Sequence, residues 1–216
     1  MPTEDQALSL AQGLCTRLCH DLAGPVGAIG SGAELLSEEG GADPQVVALL
    51  SDSAASATAR LRLLRAVLGA PTGRGLAPSE AKALLAAHLM SRAGHARAPS
   101  LDWGVVGTGD DDAIRARVQV LLNLCLAALD AVPRCERLTV TDQGGGSFEV
   151  TASGPGAPRE APLGALTDGA AGTDDGDLDP MTVQAVYAGR LTRALGFGLR
   201  VERLPGVLHI LGRAGG

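Results

Sequence analysis

The chain has 216 residues, 45% of them hydrophobic, with a formal net charge of -6 at pH 7 and only 2% aromatic residues. That length and apolar share support one generous domain or two small ones without covalent staples, and an acidic chain poor in stacking rings argues against nucleic-acid binding, which wants a basic face. No apolar run approaches the roughly 18 to 20 residues of a membrane span, and no basic segment followed by a hydrophobic stretch opens the chain, so a cytoplasmic protein with protein partners and no membrane contact is expected.

The first element is a long amphipathic helix. Leu14, Leu18, Leu22, Val26, Ile29, Ala33 and Leu36 recur at spacings of three and four, which makes one apolar stripe. At about 100° per residue His20 falls roughly opposite that stripe, so its imidazole is predicted to face solvent. A side chain there is poorly placed to fill a core, and imidazole is nucleophilic near neutral pH. Periodicity alone does not separate an acceptor from an exposed histidine without a role. Asp21 follows directly and is a candidate to orient the ring. Pro25 inside the helix removes one backbone bond and leaves the Asp21 carbonyl without its usual donor. Gly24 and Gly27 keep the surface around His20 low, and the outward face is expected to include Arg17, Gly24 and Gly27.

A second helix repeats apolar positions at Val46, Leu50, Ala54, Ala57, Leu61, Leu64 and Leu68, after the turn Glu39-Gly40-Gly41-Ala42-Asp43-Pro44, whose Asp-Pro pair is a helix start signal. The two helices read as a hairpin. One hairpin cannot close a core around both stripes, whereas two related by a two-fold axis make a four-helix bundle, so a homodimer is expected. Arg60, Arg62 and Arg65 read as a solvated face. The Gly- and Pro-rich stretch near Ala70 to Pro78 marks a boundary, giving a hairpin domain over 1–70, a linker over 71–78 and a second domain over 79–216.

The second domain reads as a helix over 79–92, a strand over 101–106 and a helix over 112–132. Strands over 137–141 and 147–152 follow, joined by the turn Asp142-Gln143-Gly144-Gly145-Gly146. Residues 154–179 read as an acidic loop. A helix opened by Asp179-Pro180 then runs to Leu195, and a hairpin over 199–204 and 207–211 turns at Pro205-Gly206. This is an α+β chain whose second part is an α/β sandwich. Cys15, Cys19, Cys125 and Cys135 have no metal-ligand or redox spacing and read as small buried hydrophobes. His88, His95 and His209 share no motif and read as ordinary residues.

The run Leu18-Cys19-His20-Asp21-Leu22, with Pro25 five residues after His20, resembles the phosphoacceptor box of sensor histidine kinases. With Pro25-Val26-Gly27-Ala28-Ile29 and Gly32-Ala33-Glu34-Leu35-Leu36 it is more closely similar to the ChpT family of histidine phosphotransferases. Gln119-Val120-Leu121-Leu122-Asn123-Leu124 and Ala128 extend the likeness into the second domain, whose element order is similar to the kinase ATP-binding domain. The resemblance implies that His20 accepts a phosphoryl group from the receiver domain of a hybrid histidine kinase of the CckA type and passes it to response regulators of the CtrA or CpdR type. The receiver would bring its own Mg²⁺. A basic strip beside the transferred group is then a second reading of Arg60, Arg62 and Arg65.

The chain departs from the kinase pattern where nucleotide is held. Ala127 stands where kinases place a Mg²⁺-holding Asn, four residues after the position of Asn123. Ala152 stands where an adenine-reading Asp precedes Gly154-Pro155-Gly156, and Asp179-Pro180-Met181 replaces a glycine-rich phosphate loop. No ATP binding, no bound cofactor and no metal site are therefore expected. Two other readings stay open on the sequence: an active histidine kinase with a divergent ATP site, and a scaffold that docks receivers without accepting phosphoryl.

Overall fold

A computed structural model describes residues 4–38, 43–69, 76–93, 96–106, 112–144, 146–173, 178–179 and 181–215. Helices α1 (Glu4–Glu38) and α2 (Pro44–Leu68) pack along each other as the expected hairpin. Asp43 caps α2, its Oδ1 accepting from the Gln45 amide at 2.8 Å with Pro44 in the first turn, the geometry that an Asp-Pro start favours. Turn residues 39–42 lie outside the described residues. Pro25 and Gly32 are buried on the α1 side of the seam, where a Cβ on Gly32 would meet the Leu50 side chain at 2.9 Å. The apolar band of α1 is therefore wider than one seam needs, and Val26 and Ala33 are left facing outward.

Helix α3 (Pro78–Ala93) follows; of the expected linker, 71–75 fall outside the described residues. Strand β1 (Ser100–Gly104) leads to α4 (Asp112–Ala131), then β2 (Arg137–Gly144) and β3 (Ser147–Ser153). Residues 118–132 are buried without interruption, the polar Gln119, Asn123 and Asp130 among mostly apolar side chains, as in a helix packed on every side. It contacts α2, α3 and the sheet, together with two later helices, α5 (Glu160–Ala171) and α6 (Val183–Ala194). Strands β4 (Phe197–Leu204) and β5 (Val207–Ala214) complete a sheet of order β1-β2-β3-β5-β4 in which only β1 and β2 run parallel. Val140, Val150 and Ile210 sit side by side across β2, β3 and β5 and point into a core that also holds Leu63, Leu64 and Val67 from the end of α2. The hydrophobic core thus runs without a break from the hairpin into the α/β layer. Among the described residues no helix is long and apolar enough to cross a membrane.

Four expectations need correction. The loop expected over 154–179 contains α5, whose Pro162, Leu163, Leu166 and Gly169 are buried against the core. Its contact with α6 is possible because neither Gly169 nor Gly189 carries a Cβ: one on Gly169 would strike the Val186 carbonyl, and one on Gly189 the Leu166 carbonyl. Helix α6 begins at Val183, later than expected, because Asp179 makes a turn: its carboxylate accepts from the Met181 amide at 2.8 Å and its carbonyl from the Thr182 and Val183 amides. Pro180 lies outside the described residues. The hairpin strands run longer than their apolar cores, since β2 continues past Asp142 through a register shift and β5 reaches Ala214. Cys15 and Cys19 are exposed on α1, while Cys125 is buried and Cys135 half-buried.

Candidate functional site

His20 lies on the outer face of α1 with 73% of its side chain exposed. Gly24 and Gly27, one and two turns further on, share that face; both are exposed, and a Cβ added at either would meet nothing within 4 Å. The imidazole borders a cleft of about 210 Å³ between α1, α2, α3, α4 and the start of α6, to which Asp21, Arg60, His88, Arg92, Asp130 and Gln184 also contribute.

Beside the imidazole runs a chain of ion pairs. Asp21 places Oδ1 3.5 Å from His20 Nδ1, while its Oδ2 accepts from Arg17 Nε at 3.0 Å. Arg17 Nη2 donates to both carboxylate oxygens of Asp130, each at 3.0 Å, and Arg92 Nη1 approaches Asp130 at 3.6 Å. Arg17 is therefore not part of an open docking face. Only 13% of its side chain is exposed, because an acid on α4 captures the guanidinium that a helical wheel turns toward solvent. Burial opposes its charge, but the carboxylates of Asp130 and Asp21 outweigh burial and raise its pKa above the usual arginine value.

Arg60 departs from the expected solvated face. Arg62 and Arg65 are exposed, but Arg60 is half-buried and its Nη1 donates to the Asp21 carbonyl at 2.9 Å, the acceptor that Pro25 leaves free. Its Nε is buried without a partner, as is Nδ1 of His88. Burial, reinforced by Arg92 and Arg60, pushes His88 down to about 4, so it is neutral at pH 7. His88 thus borders the cleft as an uncharged ring. His95 lies outside the described residues, and His209 pairs with Glu149 at 2.7 Å on the sheet.

The positions expected from the resemblance to correspond to nucleotide-binding residues lie deeper. Asn123 is fully buried, with its amide donating to the Val67 and Gln119 carbonyls at 3.0 and 2.8 Å and its Oδ1 accepting from Gln184 at 2.6 Å. Gln119 donates to the Val67 and Gly69 carbonyls at 3.2 and 2.8 Å. These two side chains satisfy carbonyls that the end of α2 leaves without helical donors, so they fasten the hairpin to α4. Ala127 and Ala152 are buried as well. Among the described residues no group of three or more His, Cys, Asp or Glu side chains is arranged to hold a metal ion.

Asp130, the cleft face of His88 and the bond from Arg60 to the Asp21 carbonyl escaped the sequence reading, which placed Arg60 on a solvated face or in a basic strip. The acceptor freed by Pro25 was legible and called for a donor; no spacing linked Asp130 to α1, 113 residues away.

A family model described as the histidine phosphotransferase C-terminal domain matches residues 95–204. Over 206 residues, 94% of both chains, this chain is 33% identical to the protein phosphotransferase ChpT of Brucella abortus strain 2308. A solved structure of a bacterial phosphotransferase superposes with a TM-score of 0.74 at 26% identity, covering 99% of this chain and 100% of that one. The Acinetobacter baumannii histidine kinase AdeS is 14% identical with a TM-score of 0.45, covering 91% of this chain and 97% of that one. With a helical hairpin leading into an α/β layer, and with a relative matched along nearly its full length, this chain belongs to the ChpT-like histidine phosphotransferase family and acts as a phosphotransferase in phosphorelay signalling.

Proposed function

We propose that His20 is the residue that carries the phosphoryl group. The observation that supports this reading most directly is the exposed imidazole on a helix face kept low by Gly24 and Gly27, with a carboxylate on its Nδ1 side. A proton held on Nδ1 toward Asp21 leaves the lone pair on Nε2. That lone pair attacks the phosphorus of a receiver's aspartyl phosphate in line: the Nε2–P bond forms, the P–O bond to the aspartyl carboxylate breaks, and the carboxylate leaves with the bonding pair. The imidazole then carries a positive charge that Asp21 offsets. The receiver supplies the Mg²⁺ that neutralises the moving phosphoryl oxygens. The same geometry run backwards delivers the group to a second receiver.

The donor in this reading is the receiver domain of a hybrid histidine kinase of the CckA type, and the acceptors are response regulators of the CtrA or CpdR type. The protein works as a homodimer. Apolar and small residues at seven-residue spacing, Val26 and Ala33 on α1 and Val47, Ala54 and Leu61 on α2, stay exposed in the single chain, and such lines fit the inner faces of a four-helix bundle. No ATP is used. Asn123 already has both amide donors and its carbonyl engaged inside the protein, and Ala127 and Ala152 offer neither a metal ligand nor an acceptor for adenine.

The test is transfer of acid-labile, base-stable label from a phosphorylated receiver. Wild type takes the label and His20→Gln takes none, with unchanged melting because an exposed side chain contributes little packing. Labelling of His20→Gln at the wild-type rate overturns the acceptor assignment. Docking of the receiver with no label on the wild-type chain favours a scaffold, and Mg²⁺-dependent binding of a fluorescent ATP analogue restores the kinase reading.

A further inference from the structure

We infer that Asp130, in the α/β layer, is a positioning residue for the phosphotransfer step, acting through Arg17 and Asp21 on the tautomer of His20. The inference rests on His20 as acceptor and adds a role that its own helix does not supply.

Asp130 is the next-to-last residue of α4. A carboxylate at a helix C-terminus faces the negative end of the helix dipole, and this one is also only 10% exposed, so neither helix formation nor solvation favours an acid there. Its surroundings are arranged for it all the same. Arg17 Nη2 donates to both of its oxygens, and Arg92 lies 3.6 Å away while donating from Nη2 to the Leu129 carbonyl at 3.2 Å. One guanidinium nitrogen shared between both carboxylate oxygens is a charge-assisted contact that pins that corner of the planar group. With Nη2 held by Asp130, Arg17 presents Nε to Asp21 Oδ2 at 3.0 Å. That contact holds the Asp21 carboxylate so that Oδ1 faces His20 Nδ1.

Without the guanidinium, Asp21 is a side chain on a helix surface with free rotation toward water. Adjacent helix positions diverge by about 100°, so nothing in the helix itself turns Asp21 toward the ring of His20. Held in place, it favours the tautomer with the proton on Nδ1, which is the one that leaves Nε2 nucleophilic. Histidine ligands in metal sites are oriented by the same kind of outer partner. The α/β layer thus contributes to the reaction on α1 without touching the phosphoryl group.

The experiment uses the full-length chain with ¹⁵N-labelled histidine, and His20 is identified by the signals lost in His20→Gln. Long-range ¹H–¹⁵N spectra of wild type are expected to show the Nδ1–H tautomer dominating at His20. In Asp130→Asn, which keeps the shape and removes the charge, that fraction falls. Labelling by a phosphorylated receiver and by the small donor phosphoramidate then drops in parallel, on the order of ten-fold, and Asp130→Glu recovers most of both. An unchanged tautomer in Asp130→Asn overturns the inference. So does a loss confined to the receiver, since that marks Asp130 as a docking residue. If Asp130→Asn does not fold by circular dichroism, Arg17→Lys serves instead: it retains a cation for Asp130, loses the Nε donor to Asp21, and is read by the same two outcomes. The tautomer is measured without any phosphoryl donor, so its failure is distinct from failure of the acceptor assignment, which shows as wild-type labelling of His20→Gln.

Discussion

Arg60 and Pro25 form a matched pair across the hairpin: the proline removes the amide that would bond to the Asp21 carbonyl, and Arg60 Nη1 fills that place at 2.9 Å. A proline in a helix interior is destabilising by about 3 kcal/mol or more, partly through the lost bond. Here the freed acceptor sits one residue after His20 and is tied to α2. The backbone that carries His20 is thereby anchored to its neighbouring helix.

A double-mutant cycle measures this pairing. Arg60→Ala alone leaves a part-buried carbonyl without a donor and is expected to lower stability by about 1–3 kcal/mol. Pro25→Ala restores an amide at position 25, so in that background Arg60→Ala is expected to be less damaging, with a coupling energy of about 1 kcal/mol by urea denaturation. Strict additivity would mean that Arg60 acts independently of the missing amide.

His88 gives the fold a dependence on acid. The unfolded chain binds a proton on this ring near the ordinary histidine value of 6.5, whereas the folded chain does so only near 4 because burial and the Arg92 and Arg60 charges oppose it. Between those values the unfolded state holds more protons, so stability falls as pH is lowered from 6.5 to 4 and the loss levels off below. His88→Leu removes this contribution and leaves no orphaned ring nitrogen. The difference between wild type and variant in denaturation free energy is expected to change by about 2–3 kcal/mol across that window; parallel pH curves for the two proteins refute the assignment.

Much of this arrangement could be read from residue order. The stripes of α1 and α2, the Asp43-Pro44 start and the apolar runs of β3 and β5 are local patterns, and these elements formed there, although β5 continues to Ala214, past its expected end at 211. Helix α5 was missed because its sequence is rich in Ala, Gly and Pro and carries few large apolar groups. Its buried face becomes stable through close contact at Gly169 and Gly189, which are 20 positions apart. Arg17 was misplaced for a related reason: a helical wheel gives the direction of a side chain but not what packs against it, and Asp130 arrives from another layer of the fold. At Pro25 the sequence supplied the vacant acceptor, and only the folded chain identified the donor.

The proposed dimer makes Leu61 and Leu64 behave differently. Leu64 belongs to the core of the single chain, whereas 52% of Leu61 is exposed there. Leu64→Glu places an unpaired carboxylate in that core and is expected to unfold the protein, while Leu61→Glu is expected to yield a folded monomer by light scattering and circular dichroism. A monomeric wild type at micromolar concentration would remove the four-helix bundle from the account.

The receiver approach can be tested at Gly27 without altering the imidazole. Gly27 lies seven residues from His20, close to the same helix face, and the space above it is open. Helical side chains lean back over the preceding turn, so a large group at position 27 rises beside His20, whereas one at position 24 leans over it. Replacing glycine also raises helix propensity, so Gly27→Trp has no reason to loosen α1. Labelling by a phosphorylated receiver is expected to fall by roughly ten-fold or more because two protein surfaces no longer close to in-line distance, while labelling by phosphoramidate stays near wild type. Gly24→Trp should show the larger receiver defect. Equal losses with receiver and phosphoramidate in Gly27→Trp would trace the effect to a damaged helix, and unimpaired receiver transfer would place the partner on another face.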